Sequence, residues 1–346
     1  MMDATVTRDL LCRGALPILA LTLAAGCSES PVPMGPTELA ERITVNNDAA
    51  SLAGRMRYTD GQLVDLRPDA TLGAREGLAL APPVSVTFHL EAEVAPLSIG
   101  GAQLQATHVG LKGKYAYVSY MVVGATSLGA VEVFDISKPD RPALVSQAVF
   151  AGTDVAAVTA DDGEVLLGTA TDDQSFAERA VVERVTLDKH LLTKRSVRIG
   201  VPSYFATGVD FTKSRIYVTS GTGGPNVGGL SVFDAKTMAL ISTDAFADAR
   251  AVSAANDDYV LVAQGTPARL RIYDGKTGSF LRTVPLSGGS IADSKSSVAV
   301  DKDWSFVATG DGGVQLVDLK LAPWPRHWAA DGFDGVAPED AVTNAW

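Results

Sequence analysis

A chain of 346 residues, 46% of them hydrophobic and 20% charged, has the material for one large packed core. Its formal net charge of −11 and its lack of any dense basic run argue against a nucleic-acid or anionic-lipid surface. The only cysteines are Cys12 and Cys27.

At the N-terminus, Arg8 and Arg13 precede an apolar stretch from Ala15 to Ala25. That stretch is about half the length a membrane-spanning helix requires, so residues 1–26 read as a signal peptide and stand outside the fold. The stretch ends Leu23-Ala24-Ala25-Gly26-Cys27, which resembles the bacterial lipobox. The resemblance implies cleavage before Cys27, acylation of its thiol and anchoring to a membrane. Several acyl chains hold where one would not, at about 0.8 kcal/mol per buried methylene. Ala24 stands where Leu is commoner, and an ordinary signal peptide with a chance cysteine is the competing reading. Ser28 follows, not Asp, which in Gram-negative lipoproteins goes with the outer membrane. A lipidated Cys27 and a removed Cys12 leave no thiol for a disulfide or a thiolate metal site.

Residues 27–40 form a tether, with three prolines between Ser28 and Pro36. Residues 37–80 lack clear periodicity, with Thr37–Ile43 able to form a short helix, and 41–83 are expected to be an irregular lead-in. From Val84 to Val94 apolar and polar residues alternate, the mark of a half-buried strand.

A repeat then begins. Val131-Glu-Val-Phe-Asp135 returns as Leu230-Ser-Val-Phe-Asp234, Leu270-Arg-Ile-Tyr-Asp274 and Val314-Gln-Leu-Val-Asp318, with a weaker copy at Arg184-Val-Thr-Leu-Asp188. Successive final aspartates are 53, 46, 40 and 44 residues apart, the period of four-stranded propeller blades. The first unit divides into strands Thr107–Leu111, Tyr115–Tyr120, Gly129–Ile136 and Ala143–Phe150. The fold expected over residues 84–346 is therefore an all-β propeller with five recognisable units. A partial sixth unit opens at Val336. Its remaining strands are expected beyond residue 346, which would leave the ring incomplete, with Val84–Val94 as the outer strand of a shared closing blade.

Second-strand anchors fall at Val118, Leu167, Val218, Val262 and Val307. The distance from each anchor to its aspartate varies from 11 to 21 residues, whereas the distance from each aspartate to the next anchor varies only from 28 to 33. The variable segments leave one face of a propeller, and insertions gathered on one face mark a binding surface or neutral loop drift.

Val131-Glu-Val-Phe-Asp-Ile-Ser-Lys-Pro-Asp-Arg-Pro-Ala-Leu-Val-Ser146, with the strand-turn-strand half Gln105–Ser119, closely resembles the LVIVD repeat. The resemblance covers about 45 residues and implies a β-propeller of the bacterial cell surface, often a lipoprotein. It implies no activity. Asp274-Gly-Lys-Thr-Gly-Ser-Phe-Leu-Arg282 looks like the YVTN or quinoprotein type of blade, but the tryptophan that recurs in quinoprotein blades is missing, since Trp stands only at 304, 324, 328 and 346.

Asp135, Asp234, Asp274 and Asp318 each precede a turn and are expected to accept backbone N–H groups there. No calcium-loop motif, histidine metal spacing, P-loop or Gly-x-Ser-x-Gly elbow occurs. No cofactor, metal or catalytic residue is assigned, and His108 reads as a hydrogen-bonded core residue. The loops 121–128, 170–179 and 220–228 are expected to gather on one face. Tyr120 and Asn226 would supply stacking and hydrogen bonds there, and Asp172 and Asp173 cation or sugar-hydroxyl contacts. The leading function is a binding scaffold for a surface protein or glycan. The alternative is a propeller enzyme (lyase, lactonase or hydrolase) with its residues in the central channel.

Overall fold

The computed structural model describes residues 41–66, 86–124, 126–221, 227–254, 258–289, 295–320 and 326–328. Cys27, Asn226 and the expected sixth unit lie outside them. Among the described residues no helix is long and apolar enough to cross a membrane.

The lead-in is β1 (Ile43–Asn46), α1 (Ala49–Ala53), β2 (Met56–Leu66), β3 (Val86–Val94) and β4 (Ser98–Ile99). Five blades follow. The first is β5 (Ala102–Lys112), β6 (Tyr115–Val122), β7 (Leu128–Asp135) and β8 (Ala143–Ala151). The second is β9 (Thr153–Asp161), β10 (Glu164–Thr171), β11 (Ala180–Asp188) and β12 (Leu191–Gly200). The third is β13 (Phe205–Phe211), β14 (Arg215–Gly221), β15 (Gly229–Asp234) and β16 (Leu240–Ala245). The fourth is β17 (Ala249–Ser253), β18 (Tyr259–Gln264), β19 (Arg269–Asp274) and β20 (Phe280–Pro285). The fifth is β21 (Ser297–Asp301), β22 (Trp304–Ala308), β23 (Val314–Asp318) and β24 (Arg326–Trp328). Each blade is an antiparallel meander, and β1 and β4 extend the first at its two edges. The protein is an all-β propeller of four-stranded blades.

One register runs through all five. Val118, Leu167, Val218, Val262 and Val307 stand opposite Glu132, Glu183, Ser231, Arg271 and Gln315. In four blades the first residue of the second strand faces the repeat aspartate, as Tyr115 faces Asp135. In the second blade Glu164 faces Thr186 instead. Its hairpin is longer, Asp188 pairs with Leu191, and Lys189 and His190 turn the chain with φ of 50° and 70°. The 53-residue spacing read from the sequence contains that extension.

Successive first strands pack side by side around the channel. Thr107 and Thr207 on these strands donate to the carbonyls of Val155 and Ala249 on the next blade, at 2.8 and 2.7 Å. Gly110 permits the close approach, since a Cβ there would lie 2.8 Å from the Val158 carbonyl oxygen. Between blades, apolar faces interdigitate. Val131, Val133 and Tyr117 of the first meet Val155, Leu167 and Val185 of the second. Leu230 and Val232 of the third meet Val260, Val262 and Tyr273 of the fourth.

Three expectations need correction. The lead-in is ordered over residues 43–66, where β1 lies on the edge of β8. Val86–Val94 is not the outer strand of a shared blade, because it pairs with β2 from Met56 opposite Val94 to Leu66 opposite Val86. The reason is a sheet face that needs a cover. The face of the first blade turned away from the second carries Ala116, Phe134 and Leu144, and Leu52 of α1 buries them with Met56 and Val94. The alternation that resembled a blade strand instead builds a cover for that face. Ile43, expected at a helix end, begins β1.

Candidate functional site

The connections between second and third strands meet on one face, and the two longest described ones are joined by Arg179. Its Nη2 donates to Asp172 Oδ1 at 2.6 Å and to Ser127 Oγ at 2.7 Å. Its Nη1 donates to the Tyr204 hydroxyl at 2.6 Å, and its Nε to the Thr171 carbonyl at 3.1 Å. The guanidinium also lies 5.0 Å from the Tyr204 ring centroid. Ser127 belongs to the first blade's connection, Asp172 and Arg179 to the second's, and Tyr204 to the link into the third. Ser203 in that link donates to the Gly221 carbonyl at 2.7 Å, which ties the end of β14 to the same face.

Beside this lies a second ionic group. Arg198 donates to Asp173 Oδ2 and to Thr171 Oγ1, each at 2.7 Å, and sits 4.6 Å from the Phe176 ring centroid. The Asp173 carboxylate accepts the Ser175 N–H at 3.0 Å. That bond, with Arg198, holds its pKa down to about 2. Deeper in the blade, fully buried Glu183 pairs with Arg42 of the lead-in, with Arg198 Nε 4.0 Å from its other oxygen. Asp154 accepts the Leu128 N–H at 3.1 Å, and burial raises its pKa.

Of the ligand-face residues singled out in the sequence, Asn226 lies outside the described residues. Asp172 and Asp173 are exposed on this face, each held by an arginine. Tyr120 is not on a loop. The β6 ladder runs on to Val122, Tyr120 faces Ala130 within it, and the side chain is 5% exposed among Leu97, Leu104 and Ala130. Burial and the hydrogen bond to Glu132 push the pKa of its hydroxyl upward. Tyr120 is a core residue, so stacking on a ligand is withdrawn for it. Asp135 accepts the Ser137 N–H at 2.8 Å and Asp318 the Lys320 N–H at 2.9 Å. Asp234 and Asp274 each accept two backbone N–H groups and a threonine hydroxyl. All four close turns on the opposite face.

Sequence reasoning missed Ser127, Arg179, Arg198 and Tyr204. Arg179 had a local signal, a cation within the same loop as two acids. Arg198 had none, because its partner Asp173 is 25 residues away in another element. Buried Asp210 was also missed. It joins three blades by accepting from Thr159 Oγ1 at 3.3 Å and from the Ala254 N–H at 2.6 Å, and burial raises its pKa.

In the channel, His108 Nδ1 lies 3.0 Å from the Val158 carbonyl oxygen. Burial, then the charge of Lys295, lower its pKa to about 4, so the ring is neutral at pH 7. Lys295, ahead of β21, donates across the channel to the carbonyls of Thr107 at 2.7 Å and Ala156 at 3.2 Å. Burial lowers its pKa to about 8. Among the described residues no group of three or more His, Cys, Asp or Glu is placed to hold a metal ion.

No family model matches the chain, and no curated protein matches it. Similar solved structures include the computationally designed protein Ika8, at 17% identity over 72% of this chain and 67% of that one, with a TM-score of 0.43. A protein of unknown function from Bacteroides caccae is 11% identical over 70% of this chain and 87% of its own, with a TM-score of 0.47. Hsv2p from Kluyveromyces lactis is 10% identical over 69% and 66%, with a TM-score of 0.40.

Proposed function

We propose that this chain is an exported propeller, lipid-anchored through Cys27 to a bacterial membrane, the outer one in Gram-negative cells, that binds a surface protein or glycan through the face of the second-to-third-strand connections. The observation that carries the binding reading is the Arg179 junction. One guanidinium fixes two long connections and a blade link at once, so the acids beside it stand at defined positions. Preorganised polar groups on a rigid frame bind at a lower entropic cost than free loops. The acids sit beside arginines and aromatic rings, the mixture suited to hydroxyl-rich or polar partners.

The catalytic reading would rest on Lys295 and His108. Both already hold backbone carbonyls of neighbouring inner strands, which favours a role in joining blades. The test has two arms. Mass spectrometry of the mature N-terminus is expected to find acylated Cys27. The detergent-solubilised protein is expected to bind a discrete set on a glycan array or a discrete envelope protein. A free N-terminus elsewhere contradicts the anchor. Turnover of a sugar lactone or glycan with no retained binding contradicts the scaffold.

A further inference from the structure

β1 belongs to no repeat, yet it completes a seam between blades. It adds antiparallel to the outer strand of the first blade, Ile43 opposite Phe150 and Val45 opposite Ala148. Ile43 is buried among Val131, Val133 and Leu192 of the two blades. Its flanks are polar. Arg42 pairs with Glu183 of the second blade. Asn47 accepts from Ser146 Oγ at 2.6 Å and donates to the Leu192 carbonyl at 3.1 Å. One extended segment thus covers a sheet edge and closes the groove beside it.

The same seam recurs between the third and fourth blades. Aligned through the shared register, Ser146 corresponds to Ser242 and Ala148 to Asp244. Phe246, whose N–H donates to the Gly228 carbonyl at 3.2 Å, takes the place of Phe150 opposite Gly129. Among the described residues no strand pairs with the outer edge of β16. Leu240 and Ile241 on it are 42% and 50% exposed. A groove of about 510 Å³ runs between β16 and the fourth blade, floored by Leu230 and Val232 and bounded by Ser242 and Phe280. Arg271 occupies the register position of Glu183. Its guanidinium lies 4.0 Å from the Phe246 ring and 4.8 Å from the Phe280 ring, bonded to Asp244 at 2.8 Å and to the Tyr273 hydroxyl at 2.9 Å. This seam therefore carries an arginine, paired with Asp244, where the filled one carries Glu183 beside Arg198.

We propose that the seam between the third and fourth blades is a docking site for one extended segment of a partner protein, which adds as an antiparallel strand to β16 as β1 adds to β8. The partner carries an acidic residue where Arg42 stands, facing Arg271, and an apolar residue five positions later, opposite Ser242 and against Val232 and Phe280. An extended segment is favoured over a second propeller because the corresponding filled seam takes a single strand, β1, with Ile43 buried between its two blades. This site is separate from the loop face, and either can fail alone.

The test pans a phage-displayed random dodecapeptide library against the full chain. Synthetic copies of the enriched peptides are then measured by fluorescence polarisation and hydrogen exchange. The expected result is enrichment of the acidic and apolar pair at that spacing, slowed exchange at the amides of residues 240–246, and at least tenfold weaker binding by the double variant Ile241→Lys, Phe280→Ala. Both side chains are about half exposed, so the variant is expected to keep its fold, checked by an unchanged unfolding curve. Peptides without the pattern, protection elsewhere, or unchanged binding by the variant overturn the proposal. So does concentration-dependent dimerisation through β16, or occupation of the groove by a saccharide in place of peptide.

Discussion

At the register position opposite the second-strand anchor, the second blade carries Glu183 and the fifth Gln315, both fully buried. Glu183 is held by ions, Arg42 from the lead-in and Arg198 from its own blade. Gln315 is held by neutral bonds within 28 residues: it accepts the Ser287 N–H and donates to the Ser287 carbonyl, both at 2.8 Å, and donates to Thr309 Oγ1 at 2.9 Å. The difference follows the partners within reach. In the fifth blade Gln315 meets the Ser287 backbone in the link from the fourth blade and the Thr309 side chain beside the Gly310–Gly312 turn. In the second, Glu183 meets Arg42 of the lead-in and Arg198 of β12, which reaches on to Asp173.

Breaking each arrangement should separate them. The largest effect is expected for Glu183→Ala, which leaves largely buried Arg42 without its carboxylate and Arg198 with Asp173 alone. The cost is about 3–5 kcal/mol, read from urea unfolding. If the variant loses under about 1 kcal/mol, the ionic account of the second blade is wrong. Acid is the next lever. Neutral His108 has a folded pKa of about 4 against 6.5 in an unfolded chain. Between those values the unfolded state binds the proton and the folded state does not. Stability should therefore fall by about 3 kcal/mol as pH drops from 6.5 to 4, and His108→Gln should flatten that slope. Gln315→Ala is expected to cost less, about 1–3 kcal/mol, because the groups it strands are neutral. A loss equal to that of Glu183→Ala would erase the contrast. The smallest effect concerns Asp173. Its pKa is lowered to about 2, so its contribution is present above the unfolded carboxylate range and lost as pH falls from about 4 toward 2. Because the group is over a third exposed, screening keeps the loss below about 1 kcal/mol. The same titration of Asp173→Asn measures it.

Much of the fold was legible because a blade is a local object. A strand ending in aspartate, a turn and a following strand write their own period, and the anchors Val118 to Val307 fall in one register. The role of Val86–Val94 was not legible, since its partner β2 precedes it across a long interval and alternation does not say which strand is opposite. Tyr120 was misplaced because its ladder runs two residues into the expected loop, to Val122, and the ring turns inward on the same side as Val118. On the loop face the acids were visible but their arginines were not. Arg198 and Arg42 reach Asp173 and Glu183 only through tertiary pairing.

The central claim is that the loop face, fixed by Arg179, is where a partner binds. The most direct measurement compares affinity for the best glycan-array or pull-down ligand between the wild type, the paired variant Asp172→Asn, Arg179→Ala, and the opposite-face variant Thr277→Ala. The account predicts at least a tenfold loss for the first variant and none for the second. Equal affinity in all three, or a loss confined to Thr277→Ala, would contradict it.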